Sequence, residues 1–496
     1  MAKAFRDTPW PVLLLVLSFL CPTELSVYVG SARLPPHRAL LLVLLPFAIL
    51  ALFGRRGVKP RLFDVTMLLF AVWTLAAYIY HLGQADGLQT GGALALDSIG
   101  SFLVARAFVR DEPTFAGTAG VLFAAVAVAG FIALPEALSG KILIHDFLRQ
   151  VTGYVHPTGV EKRLGMTRAF GTFDHPIHLG TFCASGLALC IYATRRQSRA
   201  MLRAVVMAGS ALLGFSSAPM LSIAMQCGLI GVERVTRGVK ARIMLGFGAV
   251  GLLFAMVSLV SSRSPFMLIA TGLTIDSWTG YYRTVIWEYG LINIWANPWV
   301  GLGHEDWVRP YWMHASTVDA FWLVIAMRTG IPAFVLLALT VGLLARGAVL
   351  GVKRGHPGLA RMSTGWLISL TALLLVACTV HLWNVPFAYF FFFFLGLGAC
   401  LADPLRTQAS AAKSAPRRLQ AARVAWIAPD ALAAGLPPGA SMAAAAPTSP
   451  IAAPRWPVPV LTAPTKPGAP RPSLALLSAE VGAPTAPRPA APRAQR

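Results

Sequence analysis

Three segments of the sequence concentrate residue types that can bind anions or move protons. The first, KRLGMTRAFGTFDHPIHLG (residues 162–180), holds three cations, two histidines and three glycines. Arginine presents a planar fork of donors that matches phosphate oxygens, and glycine lets a ligand approach the backbone closely. We therefore expect Arg168 to contact an anionic substrate, with Arg163 and His175 as further substrate-contacting candidates. For Lys162 and Arg163, anchoring at a membrane interface is the favoured explanation.

The second segment is TGYYRTVIWEYGLINIWANPWVGLGHEDW (279–307). Its spacing predicts an amphipathic helix from about Tyr281 to Ala296 that lies on a membrane face. Arg283 then stands near the helix start, where free backbone N–H groups also favour an anion. Tyr282 and Trp287 are candidate platforms for sugar rings, although an interfacial aromatic belt explains them equally well.

The third segment is YWMHASTVDAFWLVIAMRTGIPA (311–333), in which His314 precedes an apolar helix. An imidazole at the interface titrates near neutrality, so His314 is a candidate general base. Asp319 and Arg328 are too far apart in sequence for a pair within one helix. We expect each to form a buried ion pair with another helix, and Asp97 is one candidate partner for Arg328.

Other chemistries lack their motifs in this sequence. There is no GxxxxGK[ST] loop, no Rossmann glycine pattern and no GxSxG elbow, which argues against nucleotide-driven transport and serine hydrolysis. His175 and His178 share a helix-like spacing, and His304 precedes two carboxylates, yet no third ligand stands at metal-site spacing. We predict neither a metal nor a cofactor.

The composition of the whole chain indicates the kind of fold that carries these three segments. Of 496 residues, 56% are hydrophobic and 12% are charged, about half the charge of a soluble protein. Continuous apolar runs recur that are long enough to cross a bilayer, which predicts an all-α polytopic membrane protein. We predict about twelve spans: 10–30, 37–54, 63–82, 90–108, 114–135, 176–194, 202–217, 219–233, 243–262, 318–345, 363–381 and 385–402.

The distribution of basic residues predicts the orientation. With the N-terminus inside, eighteen Lys or Arg fall in inside loops and ten in outside loops, as the positive-inside rule requires. Both termini are then cytoplasmic, and the first span is an uncleaved helix. The net charge of +22 follows from these clusters, so no nucleic-acid partner is predicted.

Two predicted outside loops, 136–175 and 263–317, are long, and they carry most of the outside arginines. Long loops in a compact protein are usually functional. The membrane domain therefore spans 1–402, with its chemistry in these loops. Residues 403–496 contain 18 of the 36 prolines, eleven Lys or Arg and three acidic residues. That composition cannot build a core, so we expect a disordered basic cytoplasmic tail.

Three pieces of these segments carry a family resemblance: RAFGTFDHP, then YYRTVIW with NPWVGLG, then MHAS with Gly330 downstream. In this order they resemble the O-antigen ligase and polysaccharide polymerase superfamily of bacterial inner-membrane glycosyltransferases. The resemblance covers residues 1–401. It implies a large periplasmic loop bearing interfacial helices, and metal-independent transfer from an undecaprenyl-pyrophosphate-linked glycan. The acceptor would be a second glycan or lipid A core.

Carried onto this sequence, the resemblance places Arg168 and Arg283 on the donor pyrophosphate and His314 as the base that deprotonates the acceptor hydroxyl. Ala315 stands where family ligases tend to have a polar residue, which favours a polymerase of exopolysaccharide or O-antigen repeat units. Two alternatives stay open. One is a polysaccharide flippase or carrier, for which internal repeats and broken helices are expected. The other is a non-catalytic partner of polysaccharide export proteins.

Overall fold

The computed structural model describes residues 2–30, 32–54, 58–153, 159–163, 165–236, 277–313, 316–382 and 387–402. His314, the predicted span 243–262 and the predicted tail 403–496 lie outside these ranges. The described chain is mostly helical. Its helices are α1 (Ala2–Asp7), α2 (Trp10–Ser18), α3 (Pro36–Phe53), α4 (Leu62–Ala95), α5 (Ser101–Phe108), α6 (Glu112–Ser139), α7 (Ile144–Thr152), α8 (Pro176–Ser185), α9 (Leu187–Ala193), α10 (Gln197–Leu212), α11 (Ser217–Val235), α12 (Ser277–Ala296), α13 (Phe321–Arg354), α14 (Pro357–Ala377) and α15 (Phe387–Ala402).

A 3₁₀ turn (Thr23–Leu25), a π-helical turn (Leu96–Gly100) and two short antiparallel hairpins complete the described secondary structure. β1 (Val27–Val29) pairs with β2 (Ala32–Leu34), and β3 (Lys162–Arg163) pairs with β4 (Met166–Thr167). The first predicted span, 10–30, is therefore wrong beyond Ser18. Pro22 has no N–H to continue a helix, and the chain turns into the first hairpin instead.

Six described helical stretches are long and apolar enough to cross a membrane, which indicates a membrane protein. The apolar helix α15 is buried on all sides from Phe387 to Leu401, as expected for a helix that is hydrophobic all round. The twelve-span count remains a prediction. The six stretches are Pro36–Phe53, Leu62–Phe108, Glu112–Ser139, Pro176–Ala193, Phe321–Lys353 and Pro357–Ala377.

The stretch Leu62–Phe108 is a helical hairpin. Gly83 has φ +78°, and a Cβ on Gly87 would lie 2.4 Å from the Cα of Ile79, so the chain reverses at this glycine. Arg106 at the far end returns to Asp64, with Nε 3.0 Å from the carboxylate. The two arms of the hairpin correspond to the predicted spans 63–82 and 90–108.

Helix α13 also breaks at a glycine. Gly330 has φ +84°, and the rings of Trp322 and Phe334 lie 5.8 Å apart across the break, although a straight helix would separate them by ~18 Å. The break divides α13 into a short arm, 321–329, and a long arm, 331–354. The predicted span 318–345 is therefore not one continuous helix.

The NPWVGLG segment packs against this break. The N–H groups of Leu302 and Gly303 donate to the carbonyls of Met327 and Arg328 at 2.7 and 3.0 Å, capping the short arm. A Cβ on Gly330 would lie 1.8 Å from a carbonyl oxygen of the segment. The NPWVGLG segment and Gly330 therefore form one physical joint.

The predicted partnership between Asp97 and Arg328 is wrong. Asp97 lies on a π-helical turn (Leu96–Gly100) and accepts two hydrogen bonds from Arg38 on α3, at 2.9 and 2.6 Å. Arg328 donates instead to the carbonyls of Gly303 and Glu305. The π turn directs Asp97 toward α3, whereas Arg328 lies at the end of the short arm of α13, where Gly303 of NPWVGLG and the nearby Glu305 supply carbonyls.

Candidate functional site

The first piece of the site is held by a buried carboxylate at the end of α6. Glu136, 1% exposed, accepts from the N–H groups of Leu143 and Ile144 at 3.1 and 3.2 Å. Its other oxygen accepts from the N–H groups of Phe170 and Gly171 at 3.0 and 2.7 Å. One side chain therefore fixes both the start of α7 and the RAFG turn that carries Arg168.

A second polar cluster fixes the following residues, FDH. The Nε2 of His145 donates to the carbonyl of Phe173 at 3.0 Å, and its Nδ1 contacts the carboxylate of Glu24. Burial opposes protonation of His145, but the hydrogen bond to Glu24 prevails and raises its pKa. Asp174 accepts from the hydroxyl of Thr23 at 2.7 Å, and burial raises the pKa of Asp174 to about 6.

Arg168 is buried in the turn that these contacts position. Its Nε donates to the carbonyl of Gly214 at 3.2 Å, and its Nη1 forms an ion pair with Glu161. Its buried Nη2 has no hydrogen-bond partner among the described residues. Burial lowers the pKa of Arg168, against the opposing charge of Glu161. One donor face of the guanidinium is therefore left for a ligand.

His175 lies at the N-terminus of α8, where its Nδ1 accepts from the N–H of Ile177 at 3.1 Å. Burial and the nearby Arg168 lower the pKa of His175, which favours the neutral ring. With Nδ1 acting as acceptor, the neutral ring carries its proton on Nε2, 3.9 Å from a carboxylate oxygen of Glu161. In this state His175 is a donor to a ligand rather than a base.

The second piece of the site is α12, whose described residues run from Ser277 to Ala296 and include the whole predicted helix. Arg283 faces inward and is 8% exposed, and its buried Nε has no hydrogen-bond partner among the described residues. Burial lowers the pKa of Arg283, and the charge of Asp319 opposes that shift. A buried cation with an open donor is a strong anion site.

Electrostatic interactions connect the two pieces. The charge of Arg163 lowers the pKa of both Arg168 and Arg283, after the larger effect of burial on each. The half-buried Arg163 therefore lies within reach of both guanidiniums. Arg163 therefore couples Arg168 electrostatically to Arg283 on α12, and these three residues are called the arginine cluster below.

Asp319, which sequence reasoning assigned to a structural ion pair, lies beside this cluster. Its charge acts on Arg283 and His175. Asp319 is half-buried, and it forms no hydrogen bond or direct ion pair with any other described residue. The predicted ion pair of Asp319 is therefore not found among the described residues. Its carboxylate can accept a hydrogen bond or a proton from a ligand. Its position five residues after His314 was the only sequence signal.

The predicted aromatic residues differ in their roles. The indole N–H of Trp287 donates to the carbonyl of Cys378 at 2.9 Å, which ties α12 to the end of α14. The ring of Tyr282 lies 6.1 Å from that of Trp312, and burial together with Asp319 raises the pKa of the Tyr282 hydroxyl. Tyr282 therefore borders the site, whereas Trp287 positions the helix that carries Arg283.

The arginine cluster can therefore bind a multiply charged anion through guanidinium and imidazole donors, beside the carboxylate of Asp319, which has no direct partner among the described residues. No group of three His, Cys, Asp or Glu side chains suited to a metal ion occurs in the described ranges. The chain matches no known family model, and a search of curated proteins finds no relative.

Proposed function

We propose that this protein is a glycosyltransferase that moves a polyprenyl-pyrophosphate-linked glycan onto a hydroxyl of an acceptor sugar. Its site would face the periplasm in a bacterial inner membrane, with both termini cytoplasmic, and the polymerase form of the reaction is favoured over ligation to lipid A core. The single observation that supports this proposal is the convergence of Arg163, Arg168 and Arg283, two of which keep buried donors open.

A pyrophosphate leaving group explains why the site needs several fixed cations. As the bond between the anomeric carbon and the donor oxygen breaks, its electron pair leaves with the pyrophosphate, and negative charge grows on the phosphate oxygens. Guanidiniums held in place by Glu136 and by α12 stabilise that charge without reorganising.

Acceptor activation needs a group that takes the hydroxyl proton. The resemblance assigns this role to His314, which lies outside the described residues. Within them, Asp319 is an unpaired carboxylate beside Arg283 and is a second candidate base. In either case the acceptor oxygen attacks the anomeric carbon directly, so the product has inverted configuration.

A transporter is the second candidate, because α13 is discontinuous at Gly330, as helices in secondary transporters are. In such proteins the open carbonyls of a half-helix bind ions or substrate. Here the carbonyls of Met327, Arg328 and Thr329 accept from Leu302, Gly303 and the indole of Trp73. The half-helix end is therefore occupied by the protein itself, which favours the enzyme.

The test uses the full-length protein in proteoliposomes that contain a polyprenyl-pyrophosphate-linked oligosaccharide. We expect longer glycans and released polyprenyl pyrophosphate with the wild type, and neither with Arg283→Ala. Arg195→Ala is the matched control, because Arg195 is an exposed arginine whose ion pair with Glu112 lies outside the cluster. Movement of the donor across the bilayer without glycan growth would contradict the proposal and identify a transporter.

A further inference from the structure

A cavity of about 290 Å³ lies apart from the arginine cluster, between the arms of the α4 hairpin and the short arm of α13. Small-molecule sites usually occupy ~300–1,000 Å³, so this cavity has room for one small group such as a single sugar ring. Its described lining consists of Tyr78, Thr90, Leu94, His304, Val324, Ile325, Arg328, Thr329 and His381.

The lining combines ring faces, apolar side chains and hydrogen-bonding groups. The rings of Tyr78 and His304 lie 5.1 Å apart and form one wall. Leu94 and Val324 contribute apolar surface, and Thr90 contributes a hydroxyl that makes no hydrogen bond within the described chain. A sugar offers the matching pattern, because its ring has apolar C–H faces and its edge carries hydroxyls.

The net charge of the lining residues further limits the chemical class of ligand that fits the cavity. Arg328 is half-buried and forms no ion pair with a described carboxylate, and the described lining contains no Asp or Glu. Burial and Arg328 lower the pKa of His304, and burial lowers the pKa of His381, so both rings are neutral at pH 7. The described lining therefore carries one positive charge, which a single carboxylate would balance.

His381 joins this cavity to the arginine cluster. His381 lines the cavity, and the charge of Asp319 acts on its imidazole. A ring seated in the cavity would therefore lie near the carboxylate that stands beside Arg283.

From this placement we propose that the cavity is a binding site for one acidic sugar ring, a hexuronate or a similar carboxylated sugar. Resting on the function proposed above, this ring is the terminal sugar of the acceptor, held with a hydroxyl directed toward Asp319. The site is distinct from the arginine cluster, which takes the donor pyrophosphate.

Direct binding tests the site without requiring glycan transfer. Glucuronate and glucose are titrated against the full-length protein in lipid nanodiscs, and binding is followed by saturation-transfer NMR. We expect glucuronate to bind at least tenfold more tightly than glucose. Thr90→Trp should fill the cavity and weaken glucuronate at least tenfold. Leu88→Trp is the matched control, because Leu88 lies on the same arm but is 59% exposed.

A second variant, Arg328→Gln, removes the charge but keeps a donor for the neighbouring carbonyls, and it should abolish the preference for glucuronate over glucose. It keeps the proposal testable if Thr90→Trp does not fold. Equal binding of the two sugars by the wild type, or unchanged glucuronate binding by folded Thr90→Trp, would overturn the proposal.

A glycan-transfer assay distinguishes failure of the acidic-sugar site from failure of the proposed glycosyltransferase function. If the wild type extends a uronate-ended acceptor and Thr90→Trp leaves the KM for that acceptor within twofold, the cavity proposal fails while the enzyme proposal stands. If glucuronate binding behaves as expected but the wild type transfers nothing, the enzyme proposal fails and the sugar site stands.

Discussion

The two segments that carry the arginines are fixed by different means. The segment around Arg168 is held by buried polar contacts, chiefly the four backbone N–H groups that Glu136 accepts. The α12 segment around Arg283 is held by apolar packing and by the joint between NPWVGLG and Gly330. A loop without regular structure needs a buried acceptor for its N–H groups, whereas a helix satisfies its own.

This difference extends to the two arginines themselves. Arg168 is partly neutralised by Glu161 and has one buried donor open, whereas Arg283 has no direct carboxylate partner among the described residues. An incoming anion must compete with Glu161 at the first position but not at the second. We therefore infer that Arg283 supplies more of the binding free energy for a phosphate group.

The largest expected effect is on the joint that supports the α12 segment. In Gly330→Ala, the new Cβ would lie 1.8 Å from the carbonyl oxygen of Trp299, at a φ of +84° that L-residues avoid. We expect a loss of ~4 kcal/mol in the free energy of unfolding, measured by thermal and denaturant unfolding in detergent. Gly342→Ala, on the long arm with open space around it, should be neutral or stabilising. If the two variants were similarly stable, the packing of NPWVGLG against Gly330 would not contribute to stability as proposed.

The corresponding test of the Arg168 segment is Glu136→Gln. The amide keeps one acceptor oxygen but presents an NH₂ group to two of the four N–H donors. We expect a loss of about 3 kcal/mol in stability, together with reduced glycan transfer because Arg168 is displaced. Glu288→Gln, on the exposed face of α12, is the control. A variant as stable as this control would show that Glu136 does not brace the turn.

The comparison between the arginines is tested by Arg283→Gln and Arg168→Gln. We expect kcat/KM for glycan transfer to fall about 100-fold in the first and about tenfold in the second, because Glu161 already offsets part of the Arg168 charge. Both variants must first show wild-type unfolding temperatures. Equal losses, or a larger loss at Arg168, would reverse the order inferred here.

The buried titratable groups that hold the Arg168 segment, Asp174 and His145, should make its local stability depend on pH. The α12 segment should not show this dependence. The pKa of Asp174 is raised to about 6 and that of His145 is also raised. Groups with raised folded pKa values stabilise most at low pH, and this contribution is lost as pH rises through those values. Hydrogen exchange of residues 165–175, corrected for intrinsic rates, should show about tenfold more protection at pH 5 than at pH 7. Asp174→Asn should flatten this dependence, and an unchanged slope would contradict it.

The smallest expected effect is a gain in the apparent affinity for the donor. Glu161→Gln removes the carboxylate that pairs with Arg168 and leaves that guanidinium open to the donor. We expect the KM for the lipid-linked donor to fall about threefold while kcat changes little. Glu305→Gln, an exposed glutamate outside the cluster, should leave KM unchanged. A higher KM in Glu161→Gln would show that this ion pair orients Arg168 for binding.

Sequence patterns predicted the helices well where the pattern is local. The spacing of apolar residues predicted the helix over 281–296, but Arg283, which was expected near the helix start, lies six residues after Ser277, the first described residue of α12. Ion pairs between helices of the membrane domain were harder to predict from the sequence. Asp97 was predicted to pair with Arg328, but it contacts Arg38. Any of several oppositely charged residues could pair with a buried charge, and the packing of the helices decides which one does.

Composition and the spacing within single helices were enough to predict a membrane protein, its apolar helices and its segments rich in arginine and glycine. The contacts between distant segments could be read only from the folded chain: Glu136 reaches Phe170 and Gly171, and Gly330 breaks a helix against NPWVGLG. The carboxylate of Asp319, in turn, has no direct partner among the described residues. These contacts join residues far apart in the chain, so they depend on how the helices pack and leave no periodic signal in the sequence.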